Sequence, residues 1–238
     1  MVRRPRSRWR RGWLWAPPAL GARSTGWALA ALAFAVLSLA PPAVAGGRRV
    51  RDLTGDIATT GIDRVEVRMP VASVRIEPSP DDRVHVDLEV RCSNDSERCG
   101  ERAEKLSLES SREGATLRVR VEGMDGLFGL CLKLRGRIQV PDGKAIDVNL
   151  PVGELQIRNV TGDLDIDVGC GEVGIALREH DVQSVRMGVG VGEATFTVAG
   201  RHIEGEGWLG QKVRWSEGPG ASRVAVTLGV GELGVKLN

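Results

Sequence analysis

From about residue 62 onward, apolar and polar residues alternate in short runs. Arg83-Val84-His85-Val86-Asp87-Leu88-Glu89-Val90, Thr116-Leu117-Arg118-Val119-Arg120-Val121 and Asp163-Leu164-Asp165-Ile166-Asp167-Val168 are examples. A period of two with Val, Ile or Leu at every second position predicts strands with one buried face. Only Ser96 to Leu106 has helical character, with capping candidates from Asn94 to Ser96, and it reads as a short insertion between strands. Gly46 to about Gly61 reads as a polar lead.

The runs also repeat. Leu150-Pro151-Val152-Gly153-Glu154-Leu155, Gly169-Cys170-Gly171-Glu172-Val173, Gly190-Val191-Gly192-Glu193-Ala194 and Gly229-Val230-Gly231-Glu232-Leu233 share one pattern. Trp208-Leu209-Gly210-Gln211 reads as a degenerate fifth copy. The residues at the apolar slot (Val152, Cys170, Val191, Leu209, Val230) are separated by 18, 21, 18 and 21 positions. The corners themselves are Gly153, Gly171, Gly192, Gly210 and Gly231. A second turn series, Gly143, Gly162, Asp181, Gly200 and Pro219, keeps a spacing of 19.

Two interleaved turn series with a strand between each describe a winding chain. A unit of two short strands cannot bury its own apolar face, whereas stacked units share a core. The expected fold is therefore all-β: a parallel β-helix or β-solenoid of coils of about 20 residues, stacked about 4.8 Å apart. An antiparallel β-sandwich is the alternative. The expected layout is a signal at 1–45, the polar lead at 46–61, N-terminal strands with the insertion at 62–125, and the solenoid at 126–238. Met69-Pro70-Val71-Ala72-Ser73 parallels the segment at Leu150, with Ala-Ser where Gly-Glu stands. Residues 62–125 thus read as early coils or as a cap.

These glycine-valine-glycine-acid corners resemble the bacterial β-strand-repeat domains of unknown function that carry an adhesin label. The resemblance covers about residues 62–238 and is strongest from Leu150 onward. It implies an exported, right-handed β-helix-like domain of the cell envelope. It brings no catalytic residues.

The first 45 residues differ from the rest. They hold seven arginines, no acidic residue and four of the six tryptophans. The apolar run from Trp27 to Ala40 then leads to Ala43-Val44-Ala45. A basic head, a short apolar core and small residues before Gly46 read as a secretory signal cleaved after Ala45, the alternative being an uncleaved anchor. At 14 residues the core is shorter than the about 20 a bilayer span needs, so no stable span is expected after cleavage. Without this segment the net charge falls from +2 to −5. A mildly acidic surface argues against a nucleic-acid partner.

Candidate chemistry is sparse. Gly169-x-Gly171-x-x-Gly174 and Gly229-x-Gly231-x-x-Gly234 match a dinucleotide fingerprint, but strands follow them where a helix is needed, so no nucleotide is expected. Glu154, Glu172, Glu193 and Glu232 occupy one repeat slot, and Asp163, Asp165 and Asp167 share a face of one strand. Oxygen-only sets of this kind are candidate calcium ligands, the alternative being a hydrated acidic surface; no other cofactor is implied. Cys92 and Cys99 flank Ser93 to Arg98 and are a disulfide candidate that staples the insertion. Cys131 and Cys170 are the remaining pair, yet if both occupy the apolar slot they stack two coils apart, beyond bridging distance, so either Cys131 lies outside that slot or both are buried thiols. Trp208 and Trp215 are either a contact patch or corner fillers.

Together these readings predict a non-enzymatic, exported protein of the periplasm or cell surface, structural or adhesin-like, whose partner is an envelope protein or a glycan. A polysaccharide-acting enzyme is the second class. It needs two carboxyls with separated pKa values across a cleft. An envelope-stress sensor domain is the third, although the residues before Trp27 are too few for a cytoplasmic partner domain.

Overall fold

A computed structural model describes residues 48–238 except 95, 125–130 and 206–208. The expected signal at 1–45 lies outside the described residues. Among the described residues thirteen strands form one mixed sheet. They are β1 (Arg48–Ala58), β2 (Arg64–Arg68), β3 (Val71–Pro78), β4 (Arg83–Cys92), β5 (Ser107–Glu113), β6 (Thr116–Glu122), β7 (Leu132–Val140), β8 (Ala145–Arg158), β9 (Leu164–Leu177), β10 (Val182–Val198), β11 (Arg201–Glu204), β12 (Gln211–Trp215) and β13 (Ser222–Leu237). An α-helix, α1 (Glu97–Glu104), falls inside the expected insertion. Among the described residues no helix is long and apolar enough to cross a membrane.

Four long strands explain the repeat. In β8 the buried positions are Ile146, Val148 and Leu150 before the corner and Leu155 and Ile157 after it. The step from Leu150 to Leu155 is odd, so the apolar set changes parity across Val152-Gly153-Glu154. A straight strand would put these two sets on opposite faces. The strand bends at the corner instead, and both sets enter one continuous core. The same change of parity occurs in β9 (Val168 to Val173), β10 (Val189 to Ala194) and β13 (Leu228 to Leu233). Gly171 shows why the corner is glycine: its φ is 149°, and a Cβ there would lie 1.7 Å from the Gly153 carbonyl oxygen. Neither the backbone angle nor the space admits a side chain.

The bent strands contribute to two walls. One wall runs β5-β6-β2-β8-β9-β13-β10-β12 through the segments before the corners. The other runs β1-β4-β7-β3-β8-β9-β13-β10-β11 through the segments after them. The chain β2 to β3 is a fifth corner unit, since Ala72 pairs with Gly153 and Ser73 with Glu154. Pro70 interrupts its ladder because proline has no amide hydrogen to donate.

Three expectations change. The coils do not stack in chain order: β13 lies between β9 and β10, parallel to both. β1, β4, β5, β11 and β12 pair antiparallel, so parallel winding is confined to the middle of an otherwise mixed sheet. The polar lead is largely a strand, β1, held to β4 over nearly its whole length. Its backbone hydrogen bonds set its conformation, while only Leu53 of its side chains is buried. Finally, Gly210 is no ladder corner. It lies in the connection between β11 and β12, which run in the same direction, both antiparallel to β10. There the Gly210 amide donates to the Gly190 carbonyl at 2.9 Å and the Gln211 side-chain oxygen accepts the Ala194 amide at 2.7 Å.

The cysteine-flanked insertion is tied down as its sequence suggests. Cys92 at the end of β4 is bonded to Cys99 in α1, with Cα atoms 6.0 Å apart. The Ser96 hydroxyl caps the helix by accepting the Cys99 amide at 3.3 Å. At the other end Arg51 of β1 donates to the Glu104 and Leu106 carbonyls at 2.6 and 3.0 Å.

Candidate functional site

The bends leave the apolar slot outside. Val152, Val191 and Val230 are 46, 51 and 48% exposed, and Cys170 beside them is exposed too. Register makes Val152, Cys170, Val230 and Val191 neighbours along the corner line. The expectation of buried thiols fails for this reason: the slot carrying Cys170 points outward at the bend. Cys131 is half-buried before β7, and the Cys131–Cys170 bridge does not form; both are thiols.

Two residues on from this ridge, one row crosses the outer face of the second wall. Through β4, β7, β3, β8, β9, β13 and β10 it reads Glu89, Arg135, Ser73, Glu154, Glu172, Glu232, Glu193. The next row begins Asp87, Arg137, Arg75, Gln156. The four repeat glutamates therefore do form a column, in the order 154, 172, 232, 193, and all are exposed. At its β8 end the column meets an open groove of about 550 Å3 in which Arg75, Arg91, Arg135 and Arg137 stand among Asp87, Glu89 and Glu154. Its ion pairs are loose: Arg137 to Asp87 at 4.0 Å and Arg75 to Glu77 at 3.6 Å. Arg91 to Glu89, at 2.9 Å, is the tighter one.

The aspartates lie elsewhere. Asp165 and Asp167 face outward on the first wall, across the corner line from the glutamates. Asp163 precedes β9 and binds the Arg223 amide at 2.8 Å and its guanidinium at 2.7 Å. That guanidinium holds the Asp163 carboxyl below its usual range, so Asp163 ties the start of β9 to β13. Among the described residues no three or more His, Cys, Asp or Glu side chains gather as a metal site.

A further carboxylate row was not singled out from the sequence. Glu66, Asp147 and Asp165 are adjacent across β2, β8 and β9. Glu66 is only 6% exposed. Burial pushes its carboxyl up, but hydrogen bonds from Arg118, at 2.7 Å, and Arg68 prevail and leave it below the ordinary value. Asp147 moves the other way, first through burial and then through the nearby charges of Asp165 and Glu66. Two carboxyls with separated pKa values are what acid–base hydrolysis uses, yet these two stand side by side on a sheet face. The signal was available in the strand alternation of Glu66 and Asp147, but the pairing of β2 with β8 was not.

No protein family and no characterised protein matches the sequence. Solved structures do. The chain resembles adhesin-type proteins. A protein provisionally named a cell adhesion protein, from Clostridium sporogenes, is 13% identical, with a TM-score of 0.46 over 79% of this chain and 99% of its own. One provisionally named an adhesin, from Parabacteroides merdae, is 10% identical with a TM-score of 0.25, over 78 and 76%. A third, from Parabacteroides distasonis and provisionally named a lipid-binding protein, is 10% identical with a TM-score of 0.21, over 81 and 98%. At these values the likeness carries no argument about activity or ligand.

Of the tryptophans singled out, Trp208 lies outside the described residues. Trp215 of β12 packs against the buried Phe196, ring centroids 5.6 Å apart and planes at 50°, and so fills space where β12 covers β10.

Proposed function

We propose that this chain is an exported, non-enzymatic module of the cell envelope, structural or adhesive, that makes its contacts through the outer face of the second wall. The observation that carries this reading is the row from Arg135 to Glu193, which holds charge at fixed strand spacing on a rigid ladder. A stiff surface of this kind binds without first paying to order itself. Export is supported by the arginine-rich head with its apolar run and by the Cys92–Cys99 disulfide, since disulfides persist in oxidising compartments. The four long parallel strands with glycine corners are β-helix-like in local build, with a different threading order. Non-enzymatic action is supported by the placement of Glu66 and Asp147, which line neither the outer groove nor the small apolar void beneath Leu150. The test is capture from envelope extract by the exported chain, with glycans and proteins both scored. Retained material should be lost when Arg135 and Arg137 are replaced by Glu. Retention of nothing, or of the same material by the variant, overturns the reading.

A further inference from the structure

The second wall carries a column of glutamates and, at its β8 end, a groove in which four arginines stand among three carboxylates, Glu154 of the column included. Glu154, Glu172, Glu232 and Glu193 stand on adjacent strands, about 4.8 Å apart. None forms an ion pair among the described residues. Glu193 accepts only the Thr195 hydroxyl, at 3.3 Å. Like charges at such positions destabilise a ladder, and the repeat places them there four times. At the β7 end the imbalance is reversed. Arg135 and Arg137 project from the same face of β7, and Arg75 is paired with Arg137 across β3. Arg135 has no ion-pair partner among the described residues, and its two fellows reach their carboxylates only at 4.0 and 3.6 Å.

Each surface would be relieved by the other, but both belong to one rigid wall, so a molecule cannot fold its own column into its own groove. We propose that a second copy of this chain supplies the contact, the glutamate column of one copy lying in the arginine groove of the other. This rests on the outer-face reading above and names its partner. An anionic glycan would answer only the groove, and a basic protein only the column. A second copy answers both, with carboxylates already at the spacing of a strand ladder. It also covers the exposed ridge of Val152, Val230 and Val191, two residues from the column. Either a mutual, closed pair or a head-to-tail array satisfies the charges.

Sedimentation velocity of the exported full chain tests the proposal. Association is expected at about 20 mM salt and should weaken at least about tenfold by about 500 mM, where exposed charges are screened. Arg75→Glu/Arg135→Glu/Arg137→Glu should sediment as a monomer, and so should Glu172→Arg/Glu232→Arg/Glu193→Arg. Mixed in equal amounts the two variants should associate again, because each now offers what the other lacks. Circular dichroism checks that both fold; if either triple variant does not, Arg135→Glu and Glu232→Arg replace them. A monomeric wild type at low salt overturns the proposal, as do variants that associate alone or fail to restore each other. Association that appears only with added polyanion overturns it in favour of an anionic ligand. Envelope capture reads separately: its failure with association intact removes the adhesive reading and leaves the self-contact standing.

Discussion

Glu172 pairs directly with Glu232 on the neighbouring parallel strand, although Glu193 lies between them in the sequence. The match holds from Val224 and Leu164 at one end of the two strands to Leu237 and Leu177 at the other. It is the clearest mark that β13 is inserted between β9 and β10, and that four corners are aligned by register and not by order of synthesis.

The corner glycines should tolerate almost nothing. Gly171→Ala forces a left-handed backbone angle on a residue with a Cβ and drives that atom into the Gly153 carbonyl. A loss of at least about 2 kcal/mol is expected in urea unfolding. Gly174→Ala, three residues on, has nothing within 4 Å of its new Cβ and should leave stability nearly unchanged or raise it slightly.

The carboxylate row on the first wall gives opposite pH effects at two adjacent residues. Asp147 has a folded-state pKa above its ordinary value, so its ionised form costs stability at neutral pH and its protonation favours the fold. Asp147→Asn should therefore raise the urea midpoint at pH 7. The gain should shrink as pH falls through the raised pKa and the native aspartate takes up its proton. Glu66 is lowered: its contribution is present above the ordinary carboxylate value and is lost as pH falls through the folded value. Glu66→Gln should cost about 1–3 kcal/mol at pH 7, because two guanidinium groups lose a buried charged acceptor.

His85 fastens β1. Its Nδ1 contacts the Asp56 carboxylate of β1 and its Nε2 lies 2.8 Å from Asp81. Those two carboxylates raise the imidazole above its ordinary value. A raised histidine stabilises fully below its unfolded pKa, and that stabilisation fades as pH rises through the folded one. Amide exchange in β1 should therefore quicken on going from about pH 6 toward 8 and above, beyond the intrinsic base catalysis measured on an unstructured peptide. His85→Gln should remove this added dependence; an unchanged profile would sink the assignment.

Thiol chemistry separates the cysteines. Alkylation without reductant should label Cys170 readily and Cys131 more slowly, while Cys92 and Cys99 map to one bridged peptide. Reduction should destabilise the fold by about 2–4 kcal/mol, with α1 released from the end of β4.

Local rules were legible in the sequence where the structure depends on them locally. The strand alternation, the glycine corners, the capped insertion and its disulfide all follow from residue spacing and type. Even the Ala72-Ser73 match to Gly153-Glu154 appears again as strand pairing. Threading was not legible. The corners of β9, β10 and β13 are nearly identical in sequence, so they pair equally well in either order, and only the reversal of β11 and β12 against β10 determines which edge remains for β13. The direction of the apolar slot was also hidden. A valine beside a glycine corner reads as core until the bend is known to turn it outward. The arginine groove was missed because its members are ordinary polar positions of three strands, joined only when β4, β7 and β3 pair.

The insertion of β13 also governs how the chain completes itself. As the polypeptide emerges, β8 and β9 have their sequence to stack, but β9 and β10 each keep an open edge until residues 222–237 arrive. Nearly every ladder bond that closes the middle of the sheet is thus long-range, and such contacts form late and slowly. Until then two adhesive strand edges face the solvent. The last strand is the keystone, and truncating it should leave an aggregating sheet in place of a shorter one.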